Sequence, residues 1–102
     1  MGGPFDQMHY MPLDTFAFEA LAVSTASVPF TAATRLNAKL ATVSVEGAAV
    51  RYRMDGTDPT ASVGTVLEPG DELIVWGGRD IQSIEFIRRD GTDATLNVHY
   101  AR

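Results

Sequence analysis

The chain has no cysteine, which removes disulfides, thiolate zinc sites and cysteine nucleophiles together and suits a chain folded in a reducing compartment. Basic residues are few: eight Lys and Arg stand against thirteen Asp and Glu, for a formal net charge of −5. A phosphate backbone would meet a mildly repulsive surface, so nucleic acid is not an expected partner. Apolar runs are short throughout, and no membrane partner is expected. The start, MGGPFDQMHYMPLD, lacks the basic leader and apolar stretch of a signal peptide, so a soluble, unprocessed chain is expected.

Groups for chemistry are equally scarce. The two histidines, His9 and His99, come without a recognisable partner, and no Gly-x-Ser-x-Gly nucleophile turn occurs. The carboxylates of EPGDE, Glu68, Asp71 and Glu72, read as a charged loop turning at Pro69-Gly70 rather than a glycosidase pair. Gly77-Gly78-Arg79-Asp80 has the wrong glycine spacing for a phosphate loop, and a strand connection with no helix after it is expected. No catalytic residue, metal or cofactor is expected.

What the sequence does contain is alternation. Its 102 residues, 45% hydrophobic and 21% charged, are enough for one small domain with one core. From Thr15 onward the dominant period is two, the mark of strands with one face buried. TFAFEALAVS places Phe16, Phe18, Ala20 and Ala22 on one face and Ala17, Glu19, Leu21 and Val23 on the other. KLATVSVEG separates Ala41, Val43 and Val45 from Thr42, Ser44 and Glu46. After Glu46-Gly47-Ala48, AVRYRM sends Val50, Tyr52 and Met54 inward and Arg51 and Arg53 outward, so these two strands are expected to form an antiparallel hairpin. ELIVWGG and IQSIEFIRR read as further strands, and ATLNVHYAR turns Ala94, Leu96, Val98 and Tyr100 inward. SVPFTAATRLN holds at most one helical turn, given Pro29 and its threonines. Six or seven such strands make an all-β protein, a small antiparallel β-sandwich, Ig-like or jelly-roll-like, over 15–102.

Residues 1–14 stand apart as an extended N-terminal arm. Gly2, Gly3, Pro4 and Pro12 break regular structure, yet Phe5, Met8, Tyr10, Met11 and Leu13, with His9 among them, make the segment too apolar for a flexible linker. Such an arm packs on its own domain or binds another chain, and these six residues are the candidate partner contacts. Met1 together with a final strand ending at Arg102 reads as a whole gene product.

Asp-Gly-Thr-Asp occurs twice, as Asp55-Gly56-Thr57-Asp58-Pro59 and again from Asp90-Gly91. Asp-Gly suits a positive φ, and Asp and Thr side chains bond back to nearby amides, so both copies read as turns. The spacing is not that of a calcium loop. The longer stretch AAVRYRMDGTDPTASVGTVLEPGDEL resembles the YYTxDGxxPT hairpin of the immunoglobulin-like domain of chitobiases and other hexosaminidases. With IEFIRRDGTDATLNVHY it also resembles small structural proteins of tailed bacteriophages, a likeness that covers Thr15 to Arg102. The phage resemblance implies a non-enzymatic virion protein, made in the host cytoplasm, that decorates or cements a capsid in many copies, with a head-tail connector or tail component as alternatives. The implied partners are the major capsid protein or another virion protein, and further copies of the chain. Arg51 and Arg53 are then candidate subunit contacts, although such arginines more commonly form solvated pairs. The competing function is a carbohydrate-binding or adhesion module in which Trp76 stacks on a sugar.

Overall fold

The computed structural model describes residues 13–102. Among the described residues eight strands form: β1 Thr15–Val23, β2 Val28–Pro29, β3 Leu40–Glu46, β4 Val50–Arg53, β5 Thr65–Leu67, β6 Glu72–Trp76, β7 Glu85–Arg88 and β8 Ala94–Ala101. Two short helices join them, α1 Ala32–Arg35 and α2 Gly78–Ser83. One sheet has the order β1-β8-β3-β6 and the other β2-β7-β4-β5, antiparallel in every pairing. The protein is an all-β sandwich.

The pairings are nested. β1 pairs with β8, β2 with β7, β3 with β6 and β4 with β5, so the chain is one long antiparallel ribbon folded back at the β4–β5 loop. That ribbon is rolled until β3 meets β8 and β4 meets β7. Eight strands wrapped into two packed sheets in this way are a jelly roll rather than the immunoglobulin arrangement. Rolling places successive strands in opposite sheets everywhere except at β4–β5.

This topology overturns the expected hairpin between KLATVSVEG and AVRYRM. β3 and β4 lie in different sheets and do not pair. Gly47, at φ 92°, starts a three-residue link, and the small buried Ala48 and Ala49 let the chain pass close between the layers. The amides and carbonyls of β3's end are used by the β5–β6 link instead: Val45 N–H donates to Asp71 O at 3.3 Å, and Gly70 N–H to Val45 O at 2.9 Å. Alternation marks which face is buried but not which sheet a strand joins.

The IQSIEFIRR strand is also shorter than expected. Residues from Gly78 to Ser83 are helical, and only Glu85–Arg88 is strand. Ile81 and Ile84 are fully buried, and their separation by three is a helical spacing. A helix therefore does follow Gly77-Gly78, contrary to the sequence reading. It lies against α1 at one end of the sandwich. Met54, expected inward, is exposed, because β4 ends at Arg53 and Met54 opens the following loop. In β1 an irregularity between Thr15 and Ala17 separates Phe16, which packs on the core, from Phe18, which faces out. The two do not share a face as their spacing implies.

The core fills the space between the sheets with Val43, Val45, Leu96, Val98 and Tyr100 from one side and Val50 and Phe86 from the other. Phe30, just after β2, joins the layers: its ring meets Tyr100 edge-on at 5.4 Å and Phe86 at 5.4 Å, and Phe86 reaches Tyr52 at 6.1 Å. Such pairs contribute about 0.5–1.5 kcal/mol each beyond the area they bury. The Tyr100 hydroxyl donates to the Glu19 carboxylate, which also accepts from Thr31 Oγ1 at 2.6 Å and Thr31 N–H at 3.2 Å. Burial first, then the Glu19 contact, pushes the Tyr100 phenol far above the ordinary tyrosine range.

Two outcomes test this core. Phe86→Ala should cost about 3–5 kcal/mol in urea denaturation, because it empties the centre of the aromatic row. In the unfolded chain Tyr100 loses its proton near pH ~10 while the folded one keeps it. Stability is therefore complete below that pH and falls as pH rises above it, a fall that Tyr100→Phe should reduce in pH-dependent melting.

Candidate functional site

The strand sequences leave two places where side chains are gathered without being buried: the tip of the ribbon and the outer face of the first sheet.

The tip is the Asp-Gly-Thr-Asp-Pro-Thr loop between β4 and β5. The Arg53 guanidinium grips the Asp55 carboxylate through Nε at 3.1 Å and Nη2 at 2.5 Å. Asp55 Oδ1 also accepts from Thr57 N–H at 3.3 Å. The Arg53 contact comes first in holding the Asp55 carboxyl below the usual aspartate range. Further along, Thr60 Oγ1 accepts from the amides of Ser62 and Val63, and Pro59 is buried beneath the loop. Arg51 points back under it, Nε donating to Ala61 O at 2.9 Å and Nη1 to Gly64 O at 2.8 Å. Both outward arginines are thus engaged within the chain, Arg51 as the loop's internal brace. Gly64 takes φ 136°, and a Cβ there would meet Tyr52 O at 3.0 Å and Arg51 Cβ at 3.2 Å.

An open groove of about 360 Å³ lies beside this tip, lined by Tyr52, Arg53, Met54, Asp55, Val63 and Thr65 among others. Its one ion pair is internally satisfied and exposed, so it offers a ligand little unspent hydrogen bonding.

The second Asp-Gly turn is built differently. Gly56 takes φ 88°, but Gly91 is not among the positive-φ glycines, so the expected common backbone geometry is absent. Asp90 is held by Arg89, which also reaches Glu68 at 2.8 Å. Asp93 accepts from Ser24 Oγ at 2.8 Å and Arg88 Nη1 at 2.6 Å, contacts that keep its carboxyl below the ordinary range. Among the described residues no three His, Asp or Glu converge as metal ligands.

The outer face of the β1-β8-β3-β6 sheet is different in character. Register places Phe18, His99, Thr42 and Ile74 in one row across four strands, with Leu40 and Trp76 in the next. Phe18 is 54% exposed, Ile74 55% and Trp76 63%. The Phe18 and His99 rings stack at 4.9 Å, tilted by 52°. The outward strand positions carry formal charge only at the opposite end, on Glu46 and Glu72. Three exposed large hydrophobics on one sheet face form a patch of the kind that marks an interaction site.

Trp76 was singled out in the sequence, but Phe18 and Ile74 were not. The signal for both was that β1 and β6 carry large apolar residues at both parities. The arm residues Phe5, Met8, His9, Tyr10 and Met11 lie outside the described residues. Leu13 is half-buried, and Asp14 exchanges two backbone hydrogen bonds with Arg102, both at 3.1 Å.

No family model, curated protein or solved structure matches the chain.

Two checks follow for the tip. Gly64→Ala should destabilise the fold by more than about 1 kcal/mol, since an L side chain there combines a strained φ with close contacts; a thermal melt measures it. In Arg53→Gln the Asp55 carboxyl should titrate closer to its ordinary value, with no loss of the β4–β5 pairing, as carboxyl NMR reads directly. The stability contributed by the Arg53–Asp55 pair is present above the unfolded-state aspartate pKa of about 3.9 and is lost as pH falls through the depressed folded value.

Proposed function

We propose that the protein is a non-enzymatic structural component of a tailed-phage particle, acting as a capsid decoration or cement protein. The observation that carries an assembly role is the uncharged, apolar outer sheet face at Phe18, Ile74 and Trp76. The likeness of the RYRMDGTDPT and IEFIRRDGTDAT stretches to small phage structural proteins supplies the virion, and the major capsid protein as partner. Jelly rolls occur in viral capsid and lectin domains, an analogy of fold that does not by itself carry function.

Energetics favour repetition over a single strong contact. Covering Phe18, Ile74 and Trp76 from their present half-exposed state is worth roughly 1 kcal/mol each, whereas association costs about 4 kcal/mol or more in lost freedom. One face alone binds weakly. Attachment therefore needs the apolar arm as well, or many copies held by the symmetry of the particle. Deleting residues 1–12 keeps the Asp14–Arg102 pair, and should abolish co-sedimentation with capsids assembled without this protein while circular dichroism stays that of the intact sandwich. Retained co-sedimentation would contradict attachment through the arm.

A second reading is favoured by one observation, the high exposure of Trp76. A flat aromatic on a sheet face is the way carbohydrate modules stack sugar rings, and on this reading glycan-array binding should appear and be lost in Trp76→Ala.

A further inference from the structure

We propose that the outer face of the β1-β8-β3-β6 sheet receives the apolar segment 1–12 of a second copy of this chain, so that exchanged arms link neighbouring copies. This rests on the assembly reading above and names the contact that would hold copies together.

Three observations converge on this occupant. The first is where the described chain starts. β1 is antiparallel to β8 and the ladder runs on to Asp14 and Arg102, so the described chain enters β1 at the end of the sheet nearest Trp76. A segment attached at that end has to turn back along the sheet to cover its own face, while a neighbour's face imposes no such turn.

The second is length. Four strands span roughly 14 Å across the sheet, and twelve extended residues reach about 40 Å, ample to leave one copy and cross the face of another.

The third is chemistry. Segment 1–12 carries Phe5, Met8, Tyr10 and Met11 with a single carboxylate, Asp6, and no Lys or Arg. The face presents Phe18, Leu40, Ile74 and Trp76 around Thr42 and His99, and its two carboxylates lie at the far end. Apolar meets apolar, with Asp6 as the segment's one charged side chain. A basic partner segment would instead call for acids within the row, and none stands there.

The chain has a single tryptophan, Trp76, so its emission reports cover on this face. The experiment uses full-length protein in three forms: unaltered, with the arm spoiled by Phe5→Ser and Tyr10→Ser, and with the face spoiled by Ile74→Lys. Light scattering should give the unaltered chain at least twice the monomer mass and each variant the monomer mass. An equimolar mixture of the two variants should regain a dimer, since one still offers a face and the other an arm. A synthetic peptide of residues 1–12, which lacks tryptophan, should shift Trp76 emission to the blue in the arm variant and leave the face variant unchanged.

A monomeric unaltered chain overturns the proposal, as does a mixture that stays monomeric. An arm variant that remains dimeric while the face variant does not indicates face-to-face packing and also overturns it. Should Ile74→Lys disturb the fold by circular dichroism, Phe18→Ser on the opposite edge strand takes its place. None of these readouts involves a capsid, so self-association and particle attachment stand or fall separately.

Discussion

Within the shared core, the contact of Tyr100 with Phe30 and Glu19 is where apolar packing and hydrogen bonding join the two sheets. Tyr100 comes from the β1-β8-β3-β6 sheet, and Phe30 follows directly on a strand of the other. The carboxylate of Glu19 accepts from both the Tyr100 hydroxyl and Thr31, so the polar end of the buried ring is bonded through β1 to the residue next to Phe30, against which its apolar body packs. A carboxylate on an inner face is costly unless its oxygens are bonded. Here that requirement ties β1, β8 and the β2–α1 link into one register, and the Phe30–Phe86–Tyr52 row carries the constraint into the second sheet.

Because the chain is a rolled ribbon, its two ends have different duties. The closed end, at the β4–β5 loop, uses Arg51, Arg53, Thr60 and Gly64 to satisfy itself. The open end carries residue 14, the last residues of β8 and the Leu40–Trp76 row. Polar side chains are spent on internal bonds at the first, while at the second Asp14, Lys39 and Arg102 flank the Leu40–Trp76 row. A repeated motif draws the eye to the loop, but Phe18, Ile74 and Trp76 lie exposed on the sheet face.

The alternation of Ala41, Val43 and Val45, and of Leu96, Val98 and Tyr100, was legible because one-sided burial writes a period of two directly into sequence. Pairing was not. The link Gly47-Ala48-Ala49 has the composition of a hairpin turn, and only the buried state of both alanines distinguishes a crossing between layers. Ile81 and Ile84 sat in a run with strand-like residues after them, so a six-residue helix hid within an expected strand. On the face, exposure of Trp76 could be asked about from sequence, whereas its alignment with Leu40, and Phe18's with Ile74, depends on registers spanning residues up to 81 positions apart. Arg51 and Arg53 were legible as outward residues, but their acceptors lie in the folded loop.

The most direct measurement is acrylamide quenching of Trp76 fluorescence in the full-length protein over a dilution series. If copies cover one another's sheet face, quenching is weak in concentrated protein and rises as dilution separates the copies, reaching the level of an exposed indole. Strong quenching at every concentration would contradict the account, because the face would then stand open to water whether or not other copies are near.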